Sequence, residues 1–312
     1  MEVILETGLD VEEDSSHNPA DWRTGRGGRG LDVNVGEDAN NHARPLTMRG
    51  VFLLFSRGSR PDRAAIYEFV ESHPSVSLTL DPARRHGLRV IDERDTASSV
   101  TALQGAALAE DRIWVELLRD GLTFDLEGLA PGAGLEPPET NHRFDCDDLQ
   151  IISEFEAVRL VAGGHMAGGE AILPVLRGML ALARDLVQHF EHARAIAWPP
   201  SSSVIGRRYF ESTMAAWLEG GAFPALGLTA FREMAGGGIQ SVGLDFLIGQ
   251  ELFIEPELVA DKVAATRLGV RLINQLVLAG AVERPEQIIG PEGQHLRLEP
   301  SADCKLICVR AG

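Results

Sequence analysis

Apolar residues fall three and four apart at Ile172, Leu176, Met179, Ala183, Leu186 and Phe190, the spacing of one buried face of a helix. A second long helix is expected over 256–279, with Val259, Val263, Val270, Ile273 and Val277 turned inward and Gly280 as its stop. Two shorter helices follow from the same spacing. One begins after Pro61, carries Ile66, Phe69 and Val70, and ends at His73-Pro74; the other covers 209–218 and ends at Gly220-Gly221. Elsewhere the period drops to two or the apolar run is short, which predicts strands at 51–55, 75–80, 88–91, 112–118, 155–161, 193–198, 296–298 and 306–309. The most informative stretch is 241–280. Val242, Leu244, Phe246 and Ile248 alternate with other residues, so a strand is expected over 240–254. It would pair with 225–234 around the Gly236-Gly237-Gly238 turn and lead into the long helix.

Helices that alternate with strands, while some strands also pair as hairpins, give an α+β fold with antiparallel or mixed sheets and packed helices. The order strand, helix, strand, hairpin, helix, strand suits ferredoxin-like halves. Residues 127–148, rich in Gly, Pro and charge, are the expected boundary between a smaller half (48–126) and a larger one (149–312). Residues 1–47 differ from the rest. Acidic runs, Asn-rich turns and the tract from Gly25 to Gly30 leave little to bury, and disorder is expected there. Met48 opens directly onto an apolar run and reads as an alternative start of the folded part.

The residues from 241 onward also carry a resemblance. Ser241-Val242-Gly243-Leu244, followed after six residues by Glu251-Leu252-Phe253-Ile254, resembles a block of the bacterial domain of unknown function numbered 4261. The run from Ala193 to Trp198 with Pro199-Pro200-Ser201 is similar to that family's strand ending in an aromatic residue and a small polar turn. Gly290-Pro291-Glu292-Gly293 before 296–298 is similar to its closing turn. The resemblance covers about 150–310, and more weakly the opening strand and helix from 48. It implies a bacterial, cytoplasmic protein and no particular chemistry.

Charge narrows the partners. A net charge of −17 argues against nucleic acid or an anionic membrane as partner, because phosphate binding depends on clustered cations. A tract such as Gly25 to Gly30 can bind RNA elsewhere, but here it is one short copy in an acidic chain. Cys146, Cys304 and Cys308 lack metal-ligand spacing, and 304 and 308 would share one face of a strand. Reduced, inert thiols and a cytoplasmic setting are expected, with no cofactor and no metal.

Candidate chemistry is sparse. The Gly-rich turn holding Gly163, Gly164 and Gly168 could offer backbone amides to an anion or small ligand, though it has neither P-loop nor dinucleotide spacing. His165 with Glu170 or Glu251 could exchange protons in a hydrolase, but no nucleophile accompanies them. His142 with Asp145, Asp147 and Asp148 is a solvated charge run rather than a cation loop, and His189 and His192 suit a helix C-terminus. Trp198, Arg207, Arg208 and Tyr209 are the residue types that anchor protein interfaces. The sequence reading is therefore a binding protein, an accessory or immunity-type factor whose partner is another protein. The hydrolase and the anion sensor are the alternatives.

Overall fold

The computed structural model describes residues 50–86, 113–146, 152–291 and 293–312. The N-terminal segment 1–47 and Met48, the strand expected at 88–91, and Arg112, Asp147, Asp148 and Glu292 lie outside them. The described chain is α+β, with helices packed on two mixed sheets.

The apolar run after Gly50 becomes β1 (Val51–Ser56), whose first five residues are all buried. Asp62 then caps α1 (Arg63–Ser72) by accepting the Ala65 amide at 2.9 Å. β2 (Val76–Leu80), a short α2 (Pro82–His86), β3 (Trp114–Arg119) and β4 (Leu122–Glu127) follow. The sequence reading missed β4. The signal was Asp120-Gly121, both at positive φ (50° and 80°), which turns β3 back on β4 in register. Next come β5 (His142–Phe144), β6 (Phe155–Ala162), α3 (Leu173–His189), β7 (Ala193–Trp198), β8 (Ser203–Gly206) and α4 (Arg207–Leu218).

These eight strands form one sheet in the order β2-β3-β4-β6-β1-β7-β8-β5, antiparallel except for β5 beside β8. Strands from both sides of 127–148, and one from inside it, share this sheet, so the expected boundary is not where the chain divides. The reason is β1. It is flanked by β6 and β7, with Leu53 opposite Val158 and Ile196, which ties the first strand to much later ones. One sheet face, with Leu53, Phe55, Phe124 and Leu160, packs on Phe69 of α1, Leu176 and Leu180 of α3 and Phe210 of α4. Each such side chain contributes about 1.5–3 kcal/mol of burial. On the other face Phe52, Leu54, Ala195 and Ala197 meet Leu135, Cys146 and Phe155. Arg60 holds the covering loop, bonding the carbonyls of Gly128 and Gly132 and the carboxylate of Glu156.

The second sheet starts after an interrupted turn, α5 (Ala225–Leu228). It comprises β9 (Ala230–Glu233), β10 (Ile239–Val242), β11 (Glu251–Ile254), β12 (Glu286–Ile289), β13 (His295–Pro300) and β14 (Leu306–Ala311), in the order β12-β13-β14-β11-β10-β9. Only β11 and β14 run parallel. α7 (Lys262–Ala279) packs Leu272, Ile273 and Leu276 into the core that Leu252, Ile254, Leu296, Ile307 and Val309 enter from the sheet. Three expectations need correction. The strand over 240–254 is broken by α6 (Leu244–Ile248), because Gly243 (φ 94°) and Gly249 (φ 80°) both enter the left-handed region. The last helix starts at Lys262 under an Asp261 cap, and Val263, expected inside, is 58% exposed. Cys304 sits in a turn (φ 54°) ahead of β14, so it shares no strand face with Cys308.

Candidate functional site

Most amides of the Gly-rich turn are bonded within the protein. Gly163 donates to the Thr123 carbonyl at 2.9 Å, and a Cβ there would stand 2.4 Å from Thr123 Oγ1, which is why glycine is needed. The amides of Met166, Ala167 and Gly169 bond the carbonyls of Gly163, Gly164 and Met166; the Gly168 amide bonds Glu170 Oε2 at 3.0 Å. Gly164 and Gly168 border open space. α3 begins only at Leu173, so its positive end lies beyond the turn. The anion reading thus loses the amides of Gly163 and Gly168 as free donors.

His165, Glu170 and Glu251 are not brought together. The exposed His165 has Nδ1 3.4 Å from Thr123 Oγ1, Glu170 folds back on Gly168, and Glu251 belongs to the second sheet. The interface expected around Trp198 also fails to assemble. Pro199–Ser201 forms a 3-10 turn that tucks Trp198 inside, 1% exposed, its Nε1 donating to the Leu228 carbonyl at 2.9 Å. Arg207 bonds Glu211 and the carbonyls of Phe190, Glu191 and Ala193, closing the C-terminal end of α3. Tyr209 is half-buried and stacked on Phe144; burial raises its phenol pKa. Only Arg208 of the four is exposed.

What the fold does bring together is the pair of blocks that carried the resemblance. Ser241 Oγ, 1% exposed, accepts the Leu252 amide at 2.7 Å and donates to Glu251 Oε2. The Glu251 carboxylate also accepts the amides of Gly243 at 2.6 Å and Leu244 at 3.3 Å, clasping the start of α6. Gly243 is thereby pressed on the other block: a Cβ there would lie 2.9 Å from the carbonyl carbon and oxygen of Pro200 and from Ser201 Cα. Phe246 of α6 then meets Trp198 edge to face at 5.4 Å. The clasp is where the two sheets join. Burial raises the Glu251 pKa to about 7 against the pull of the Ser241 hydroxyl, and the charge and hydrogen bond of Asp245 add to the rise. Ser241 is enclosed and already bonded on both sides, so it is no nucleophile.

A second acidic group escaped the sequence reading. On the face of the first sheet away from the helices, Asp125 stands opposite Glu116, with Glu127 two residues on. Glu127 is ion-paired with Arg159 (3.1 and 2.5 Å), and Glu116 accepts from Thr79 Oγ1 at 2.6 Å. Burial first, then Glu116 and Glu127, raise the Asp125 pKa to about 6, opposed by His165. The alternation Thr123-Phe124-Asp125-Leu126-Glu127 was the available signal. Among the described residues no group of three or more His, Cys, Asp or Glu could hold a metal ion. His189 packs edge-on against Phe69 and Phe190, burial lowering its pKa with His73 adding to the effect.

The third candidate is a groove of roughly 170 Å³ between α7 and β12, with Leu268, Leu272 and Ile288 as its floor and Arg271, Gln275 and Ile289 at its lip. β12 is an edge strand, and its Ile289 is 71% exposed. The sequence reading did not reach this groove, because 286–289 carries no alternation long enough to mark a strand. No family model, curated protein or solved structure matches this chain. No helix among the described residues is long and apolar enough to cross a membrane.

Proposed function

We propose that the protein works by binding another protein, as an accessory or immunity-type factor, and that it does so at the α7–β12 groove. The observation that carries this reading is the edge position of β12, with its exposed Ile289, beside a groove lined by both apolar and polar residues. An edge strand presents unpaired backbone donors and acceptors that an extended segment can complete, while a neighbouring groove takes its alternate side chains. The occupant we assign is an extended polypeptide segment in which apolar residues alternate with carboxylates. Its apolar residues suit the half-buried Ile288 and the exposed Ile289. Its carboxylates suit Arg267 and Arg271, which are exposed and make no ion pair with any described residue. The acidic charge of the chain as a whole does not oppose this, because charges beyond about 8 Å are largely screened at physiological salt.

The resemblance to the domain family numbered 4261 is kept as a proposal that rests on the sequence blocks alone. The docking reading is tested with the full chain and two synthetic eight-residue peptides, one alternating Val and Glu, the other Val and Lys. The Glu peptide is expected to bind at least tenfold more tightly and to shift the backbone amides of 286–289. Arg271→Glu should reverse the preference and Ile289→Asp should weaken both peptides, with the melting temperature unchanged. Equal binding of the two peptides, or binding indifferent to both substitutions, refutes the reading.

A further inference from the structure

The C-terminal ends of α1 and α3 meet through four rings. His73 follows the last residue of α1 and lies over Phe69, with ring centroids 4.3 Å apart and planes at 32°. His189, in the last turn of α3, stands edge-on to Phe69 at 5.3 Å, to His73 at 5.5 Å and to Phe190 at 4.8 Å. Phe69 is fully buried, whereas both imidazoles are half-buried and open to solvent on one side. We propose that His73 and His189 form an acid-sensitive clamp, which holds the end of α1 on the end of α3 while no more than one ring is charged and opens when both carry a proton.

The hydrogen bonds fix which nitrogen of His73 titrates. Its Nδ1 lies 2.8 Å from the Phe69 carbonyl, which only accepts, so that nitrogen carries a hydrogen in the neutral ring as well as in the charged one. The Ser72 hydroxyl, 2.9 Å from the same nitrogen, donates to the same carbonyl at 2.9 Å. The proton that comes and goes is therefore on Nε2. A further proton on His189 puts two like charges 5.5 Å apart, inside the screening length of about 8 Å at physiological salt. Little nearby offsets them. From α1 the carboxylate that acts on His189 is the exposed Glu68, whose pull is outweighed by burial and by His73, so the His189 pKa falls. The end of α3, where a helix favours a cation, already holds the Arg207 guanidinium on the carbonyls of Phe190 and Glu191, and Glu211 is its counter-ion. Asp185, one turn back along α3, is paired with Arg119 and Arg184. Glu71, Glu191 and His192 are exposed, and β1 and β2 contain no charged residue, β1 placing Phe55 6.3 Å from Phe190. Because the fold favours the neutral form of His189, that contribution is complete above the ordinary His value of about 6.5 and is lost as pH falls below it.

A double-mutant cycle on the full chain tests the clamp, with His73→Phe, His189→Phe and both together unfolded in urea at pH 8 and pH 5. Phenylalanine keeps a ring at each position and cannot be charged. The cycle cancels the other titrations, that of Asp125 included, and leaves the coupling of the two imidazoles. Its equilibrium factor should move towards repulsion by about fivefold or more between the two pH values. Amide exchange on the wild type, corrected for intrinsic rates, reads the opening directly. The amides of His73 and Phe190, which bond the Val70 and Leu186 carbonyls, should lose at least about fivefold of their protection at pH 5. Leu160, on a strand paired on both sides, should keep its own. A coupling that does not change with pH, wild-type amides that stay protected at pH 5, or a loss that Leu160 shares equally overturns the proposal. If a Phe variant does not fold, the wild-type exchange decides alone.

Discussion

Gly243→Ala and Gly249→Ala make a matched pair, because the two glycines flank the same short helix in nearly the same backbone conformation. Gly243 has φ 94° and ψ −2°; Gly249 has φ 80° and ψ 3°. Placing an alanine in the left-handed region costs roughly 1–2 kcal/mol at either position. The surroundings then separate them. Around Gly249 nothing lies within 4 Å of the added Cβ, so the backbone cost is the whole effect. At Gly243 the added methyl would lie 2.9 Å from three backbone atoms of Pro200 and Ser201, none of which can swing aside as a side chain would. Overpacking of this kind adds about 1–3 kcal/mol, giving about 2–5 kcal/mol in total. Urea unfolding followed by tryptophan fluorescence gives both values, and near-UV circular dichroism reports on the Trp198–Phe246 contact. Gly243→Ala should disturb that contact and Gly249→Ala should not. Equal destabilisation by the two would refute the claim that Gly243 is the point where one sheet bears on the other.

Three further outcomes are expected. Asp185→Ala should destabilise the fold by about 1.5–3 kcal/mol in urea, because Asp185 is 6% exposed and bonds both Arg119 and Arg184, of which Arg119 keeps Asp120 at 3.4 Å. Asp125 has a raised folded pKa, so its contribution is fully present below about 4, its unfolded value, and is lost as pH rises through about 6. Asp125→Asn should therefore flatten stability against pH across that window, and an unchanged profile would remove the argument. His165→Ala should leave the melting temperature within about 1 °C, since the exposed ring makes a 3.4 Å approach to Thr123 and only a through-space interaction with Asp125.

The sequence was readable where one physical signal dominated. The three-and-four spacing of 172–190 yielded α3, and the Asp62 and Gly280 ends of α1 and α7 obeyed capping chemistry. It misled where tertiary contact overrode pattern. Val242, Leu244, Phe246 and Ile248 alternate, yet two left-handed glycines turn the middle of that run into α6, and the turn is stabilised by Glu251 from the following strand. Trp198 and Arg207 looked like surface anchors because residue type says nothing of direction. Pro199-Pro200 turns the first inward, and the end of α3 recruits the second. Glu251 was picked out as an acid, but the Gly243 and Leu244 amides it accepts lay hidden inside a presumed strand. The acidic face at Asp125 required knowing which strands are neighbours, which local periodicity does not contain.

The central place of β1 has a consequence for how the chain is made. Its first five residues are an unbroken apolar run, and both partners, β6 and β7, lie about a hundred residues or more downstream. At about 5–20 residues per second, a ribosome needs on the order of ten seconds to deliver them. During that interval an emerging Val51–Ser56 segment has two vacant strand edges and no sheet to join. A nascent chain halted before Trp198 should therefore recruit holdase chaperones, and one extended past it should release them.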